Sequence, residues 1–305
     1  MTDFFASFSN FQGEFFALGA ALLWALSSIL FKTLGKTIRP LELNLIKGVA
    51  AFIMFAITSL VIGEVFSTIR PAAVIALAIS GAVGIGFGDT MFFEAINRLG
   101  ARRSLLITIL APPMTVIFAW IFLRESLNLA AWAGILITIL GVAWVITEKN
   151  KDENEENKFT WLGVFFGFLA ALTQAAGAVL SRWALTESSV SALQSALIRL
   201  LAGTAVLLLW IAIRREKIGV WLKPAPKKQL LGILSAVIIF GTYIAIWMQQ
   251  LAFKFTNVGI AQTLLATSPL FILPVSALQK EKITLRSVLG VVLSIAGVAL
   301  IFLAG

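Results

Sequence analysis

Three charged side chains fall inside long apolar runs, away from the last residues at either end. Asp89 follows the glycine-rich stretch that holds Gly81, Gly84, Gly86 and Gly88, Arg199 lies about a third of the way into its run, and Lys47 occupies the matching place in an earlier one. A charge in the hydrocarbon of a bilayer costs about 2.5–3.5 kcal/mol on insertion scales, so such residues are expected to face a protein interior and to act there. Two cations and an acid around one cavity can hold a carboxylate and an ammonium together, which is the chemistry of a zwitterion site. Asp89 is also the candidate proton carrier, because the chain has no His and the other acids fall in tails, loops or the ends of runs. Glu94, five residues on and about 140° further round a helix, is a second candidate for that role. The competing structural reading makes Asp89 a lock with Lys47 or Arg199, with Lys47 snorkelling its head toward the headgroups.

Ring faces and amides extend this set. Trp24, Phe87, Tyr243 and Trp247 lie deep in apolar runs and can offer aromatic faces to an apolar or cationic ligand. Among the uncharged polar residues Gln174, Gln194, Thr242, Gln249, Gln250, Asn257, Gln262 and Thr263, those that face a cavity would contact the ligand, with Gln174 and Gln262 as the candidates; otherwise they bond between helices. Pro112, Pro113, Pro269 and Pro274 remove helix donors, which makes Pro113 and Pro269 hinge candidates. The glycines before Asp89 suit close helix packing. Glu125 and Glu281 precede apolar runs, where a carboxylate favours the positive end of a helix.

The elements that must position these residues are membrane helices. The chain has 305 residues, 59% apolar and 13% charged, with mean hydropathy +0.97, far from the quarter charged of a soluble domain. Ten apolar runs stand at 15–34, 43–62, 72–93, 104–123, 129–147, 161–183, 190–212, 230–251, 258–279 and 285–303, each long enough to cross a hydrocarbon core of about 30 Å. A barrel is excluded, since short alternating segments are absent. No Cys and no His occur, so disulfides, iron–sulfur clusters, thiol catalysis and His-ligated metals are excluded, and neither a metal nor a cofactor is expected. The tail MTDFFASFSNFQGE has no basic residue, so the first run is expected to be a retained helix.

The charged run 148–158 separates two halves, 1–147 and 159–305, with five runs in each. Arg124-Glu125, Gly134 and Gly141-Val142-Ala143 recur 156 residues later as Lys280-Glu281, Gly290 and Gly297-Val298-Ala299. The same shift brings Pro113 onto Pro269, and a shift of 152 brings Lys47 onto Arg199. Five is odd, so the second half enters the membrane from the opposite side; the expected fold is all-α, with ten transmembrane helices in two inverted five-helix repeats, the geometry of alternating-access transporters. One side of the membrane holds only Arg70, Arg124, Arg182 and Lys254, whereas the other holds eighteen Lys and Arg, so the positive-inside rule places both termini outside the cytoplasm. Trp132, Trp144, Trp161, Trp210 and Trp221 near run ends are expected in interfacial belts.

The ordered set resembles the drug/metabolite transporter superfamily, in its EamA-like ten-helix branch, across nearly the whole chain. The resemblance rests on Leu23-Trp24 followed by Lys32, the basic residue early in the second run of each half, and Gly88-Asp89 with Ala95 and Gly100-Ala101. It rests too on the proline in each fourth run and the Glu-x8-Gly-x6-Gly-Val ending. It implies a secondary transporter, usually an exporter of amino acids, other metabolites or toxic compounds, and the membrane expected is the plasma membrane. Many such transporters have cytoplasmic termini, from which the charge count departs.

Enzymes are disfavoured, and no catalytic residue is assigned. Gly86-Phe87-Gly88-Asp89 reads as the Gly-x-Gly-Asp motif of intramembrane aspartyl proteases, but that chemistry needs two aspartates and the others, Asp3 and Asp152, lie on no apolar run. The expectation is a multi-pass exporter of small metabolites such as amino acids. The alternatives are a multidrug or lipophilic-cation exporter and, behind it, a lipid translocator. The partners expected are a small-molecule substrate, membrane lipids and candidate protons, with no nucleic acid. The fused halves already supply a two-fold, so a monomer suffices and a homodimer stays open.

Overall fold

The computed structural model describes residues 11–35, 37–64, 69–99, 101–147, 160–223, 228–271 and 284–304. The charged run 148–158, the end of the ninth apolar run with Pro274, and Glu281 lie outside the described residues. Among the described residues ten helices form the fold: α1 (Gln12–Leu34), α2 (Pro40–Ile62), α3 (Pro71–Leu99), α4 (Arg103–Leu123), α5 (Leu129–Ile146), α6 (Trp161–Glu187), α7 (Ala192–Arg214), α8 (Lys228–Phe255), α9 (Val258–Phe271) and α10 (Leu285–Ala304). Eight are long and apolar enough to cross a membrane as described, and α9 and α10 carry shorter apolar stretches. Residues such as Leu60 and Val61, each 81% exposed, form the apolar outer surface expected of a protein surrounded by lipid.

Local chemistry sets the ends. Pro40 and Pro71 start α2 and α3, where a missing N–H costs nothing. Asn128 caps α5 by accepting from Ala131 N, and Ser191 with Gln194 forms a capping box on α7. Gly63 closes α2 at φ +75°. The expected runs recur with shifted limits, most clearly in α3, which continues six residues past 93. Hydropathy falls at Glu94 and Arg98, yet these two form an ion pair of 3.7 Å one turn apart and support the helix beyond the apolar run.

The packing repeats with a two-fold relation. α1 lies on α8 as α6 lies on α3, and α1 meets α9 as α6 meets α4; α2 with α7, and α5 with α10, pair across the axis. At α5–α10, a Cβ on Gly134 would meet the Gly297 carbonyl at 2.8 Å, and one on Gly141 would meet that of Gly290 at 2.7 Å. Those two contacts exchange under the 156-residue shift, and Ser294 lies against its own equivalent Thr138, Oγ to carbonyl 3.4 Å, between them. Only glycine permits backbones this close, and van der Waals contact at small residues drives helix association where lipid is as apolar as the protein. An inverted repeat therefore holds in space as well as in sequence. We call the side with the start of α1, the end of α10 and the α2–α3, α4–α5, α6–α7 and α8–α9 turns the terminal face, and the opposite side the linker face.

Candidate functional site

The site begins with a change of helix type. Residues Ala82–Gly88 of α3 form a π-helical segment, and Asp89 is the first α-helical residue after it. Extra residues per turn rotate the side chains that follow, and such segments recur at functional sites. α8 has the matching π segment, Val237–Ile244. The glycines ahead of Asp89 bring α3 against its neighbours: a Cβ on Gly81 would collide with the Arg199 carbonyl, one on Gly86 with Val206 of α7, and one on Gly88 with the Thr173 hydroxyl of α6.

Asp89 Oδ2 accepts a hydrogen bond from Asn44 Nδ2 at 3.0 Å. Lys47 and Arg199 both lie within electrostatic reach of the Asp89 carboxylate, and neither closes a direct ion pair with it among the described residues. Lys47, half-buried, places its ammonium 4.6 Å above the centre of the Phe31 ring. Arg199 is 6% exposed and its Nε has no hydrogen-bond partner. Its Nη2 stands 3.7 Å from where a Cβ on Gly84 would be, so the missing side chain leaves room at the guanidinium. Two basic side chains from equivalent positions of the two halves thus stand within electrostatic reach of one acid, and one of them, Arg199, keeps an unfilled donor.

The aromatic candidates divide. Tyr243 and Trp247 form a wall with Phe55, with ring centroids 4.5 Å (Phe55–Tyr243), 5.9 Å (Tyr243–Trp247) and 6.4 Å (Phe55–Trp247) apart, and the Tyr243 hydroxyl meets that of Thr58 at 2.7 Å. This wall shares an apolar cluster with Leu197 and Leu200, the neighbours of Arg199 along α7. Trp24 donates its Nε1–H to the Gly241 carbonyl at 3.1 Å, tying α1 to the π segment of α8. Gln262 is buried on α9, and Gln174 is exposed on α6. Glu94 lies toward the linker face, paired with Arg214 at 3.3 Å as well as with Arg98, about 7.5 Å along α3 from Asp89. Of the Trp expected in belts, Trp144 and Trp161 are exposed, whereas Trp132 and Trp221 pack against apolar clusters.

Pro113 and Pro269 follow breaks in α4 and α9. Helix geometry lapses at 109–110 and again at 266–267, and the chain resumes at Ala111 and, as a short 3-10 turn, at Ser268. Pro112, Pro113 and Pro269 have no N–H to give the carbonyls of Thr108, Ile109 and Leu265, so each break falls one turn ahead of its proline.

A polar knot ties helices together near the terminal face, and reading the sequence missed it. Arg182 of α6 donates from Nε to Glu125 Oε1 at 2.7 Å and from Nη1 to the Phe253 and Lys254 carbonyls at 2.7 and 2.8 Å. Glu125 Oε2 accepts from Val258 N at 3.1 Å. Glu125 was expected to serve the N-terminus of α5; Asn128 does that, and Glu125 reaches the start of α9. Asn44 could have been found, since it lies three residues before Lys47 on the same helix face. The knot had no sequence signal, because its members are 57 to 133 residues apart.

The sequence matches the EamA-like transporter family over residues 11–147 and again over 161–303. It is similar to the uncharacterized transporter YoaV of Bacillus subtilis (strain 168), 25% identical over 135 residues that cover 43% of this chain and 45% of that protein. A second similar protein of that bacterium, the uncharacterized transporter YvbV, is 26% identical over 143 residues, 46% of this chain and 47% of its own length. The alignments thus span less than half of either relative. A solved crystal structure shares the fold, with a TM-score of 0.79 at 19% identity over 96% of this chain and 97% of the other. With both halves matched in turn and the ten helices paired about a two-fold, the chain belongs to the EamA-like transporter family.

Proposed function

We propose that this membrane transporter is a secondary active exporter of small zwitterionic metabolites, amino acids foremost, working by alternating access and carrying out no covalent chemistry. The observation that carries the reading is Arg199, a guanidinium 6% exposed with an unpartnered Nε, in the same electrostatic field as Asp89 and Lys47. A charge-assisted bond to a carboxylate satisfies that donor, and Asp89 receives the ammonium or a proton in exchange. In this reading the terminal face is non-cytoplasmic and the membrane is the plasma membrane, as the sequence count of eighteen Lys and Arg against four favours.

A second reading has its own support: the Phe55–Tyr243–Trp247 wall suits a lipophilic cation. Thermal stability of the detergent-purified protein separates the two, since a ligand held at 100 times its Kd stabilises by about 2.7 kcal/mol. Amino acids should raise the melting temperature of the wild type and not of Arg199→Ala or Asp89→Asn. Stabilisation by lipophilic cations alone, surviving Arg199→Ala, overturns the zwitterion site in favour of the cation exporter.

A further inference from the structure

Another buried donor, on the terminal side of Arg199, also lacks an acceptor. Gln250 of α8 is 0% exposed; its Oε1 accepts from Ser181 of α6 at 2.5 Å and from Ser195 of α7 at 2.8 Å, while its Nε2 has no partner. Its place relative to Arg199 follows from the antiparallel course of α6 and α7. Ser181 and Ser195 face each other, Oγ to Oγ 3.4 Å. One turn deeper on α7 is Arg199, and one turn deeper on α6 is Gly177, whose Cα adjoins the same space beside Gly84 as Arg199 Nη2. Gln250 therefore stands about one turn, ~6 Å, from Arg199 toward the terminal face. Arg182, next in sequence to Ser181, marks the far end of this polar line.

An amide donor in a dry interior costs about 1–3 kcal/mol when unmet, and a Leu or Met at 250 would remove that cost. A donor kept there, in line with an unfilled guanidinium, fits an oxygen anion that passes between them. We infer that Gln250 determines specificity: its Nε2 takes a carboxylate oxygen of the substrate as that group moves from Arg199 toward the terminal face. This rests on the zwitterion reading above and adds to it the residue that selects for the acid on the way out.

Gln250→Glu tests the inference. A glutamate keeps two oxygens for the Ser181 and Ser195 hydroxyls and so preserves the tie between the helices, but it replaces the donor with negative charge. The probes are the standard amino acid that most stabilises the purified wild type and the amide of that same amino acid, which has the ammonium and no carboxylate. In proteoliposome uptake, Gln250→Glu should raise the ratio of KM for the acid to KM for the amide about tenfold, the loss of one charge-assisted hydrogen bond. Gln250→Met, of similar volume and without a donor, should shift the same ratio in the same direction should the glutamate variant fail to fold. Equal losses for acid and amide make Gln250 a structural knot and overturn the inference, as does an unchanged ratio in either variant. Where the wild type prefers acid to amide through Arg199 and the Gln250 variants retain that preference, this inference fails alone. Where no amino acid stabilises the wild type, the zwitterion reading fails and takes the inference with it.

Discussion

Asp89 holds its place through Asn44, and that bond sets a clean experiment on proton coupling. In Asp89→Asn the new side-chain oxygen still accepts from Asn44 Nδ2, so the 3.0 Å contact between α2 and α3 persists while the titratable group is gone. Uptake driven by an imposed pH gradient should fall to background in this variant, with the melting temperature close to that of the wild type. A proton-driven rate equal to wild type would remove Asp89 from the coupling. Charges inside apolar runs were the most legible part of the site, because membrane burial makes them rare. What Lys47 touches was not legible: its ammonium rests over Phe31, 16 residues earlier on another helix, rather than on Asp89.

At the scale of the element, the helices that depart from regular geometry do so in matched pairs. The π segments at 82–88 and 237–244 and the breaks at 109–110 and 266–267 occupy equivalent places in the two halves. Prolines announced the breaks; the π segments had no such mark. Between these elements the Glu125–Arg182 pair, with side chains 14% and 15% exposed, joins the α4–α5 turn, α6, the end of α8 and the start of α9. Removing one partner of a largely buried pair strands the other, at a cost of about 3 kcal/mol. Glu125→Gln should therefore loosen the terminal face. The chain has no cysteine, so a single Ser181→Cys reports directly: in the Glu125→Gln background it should react with a membrane-impermeant maleimide added at the terminal face, and in the otherwise unaltered protein it should not. Equal labelling of the two would mean the pair does not seal that face.

For the whole molecule, the two-fold ties orientation to charge. Because the repeats are inverted, each half alone would point the opposite way, and the basic residues of the linker face, Arg214 and Arg215 among them, break the tie. A periplasmic phosphatase fused after Gly305 should be active in cells and a fluorescent protein that matures only in the cytoplasm should be dark; the reverse pattern would place the linker face outside. The helix count, the two halves and the inverted relation were all legible in the chain, since hydropathy over about 20 residues and a constant shift of 152 or 156 are properties of residues in order. The meeting of Asn44 with Asp89, of Gln250 with two serines and of Glu125 with the start of α9 was decided only by the folded bundle. Each of those contacts depends on how far one helix is rotated and slid against another. That in turn is set by close approach at positions such as Gly81, Gly141 and Gly297, where several distant segments must fit at once.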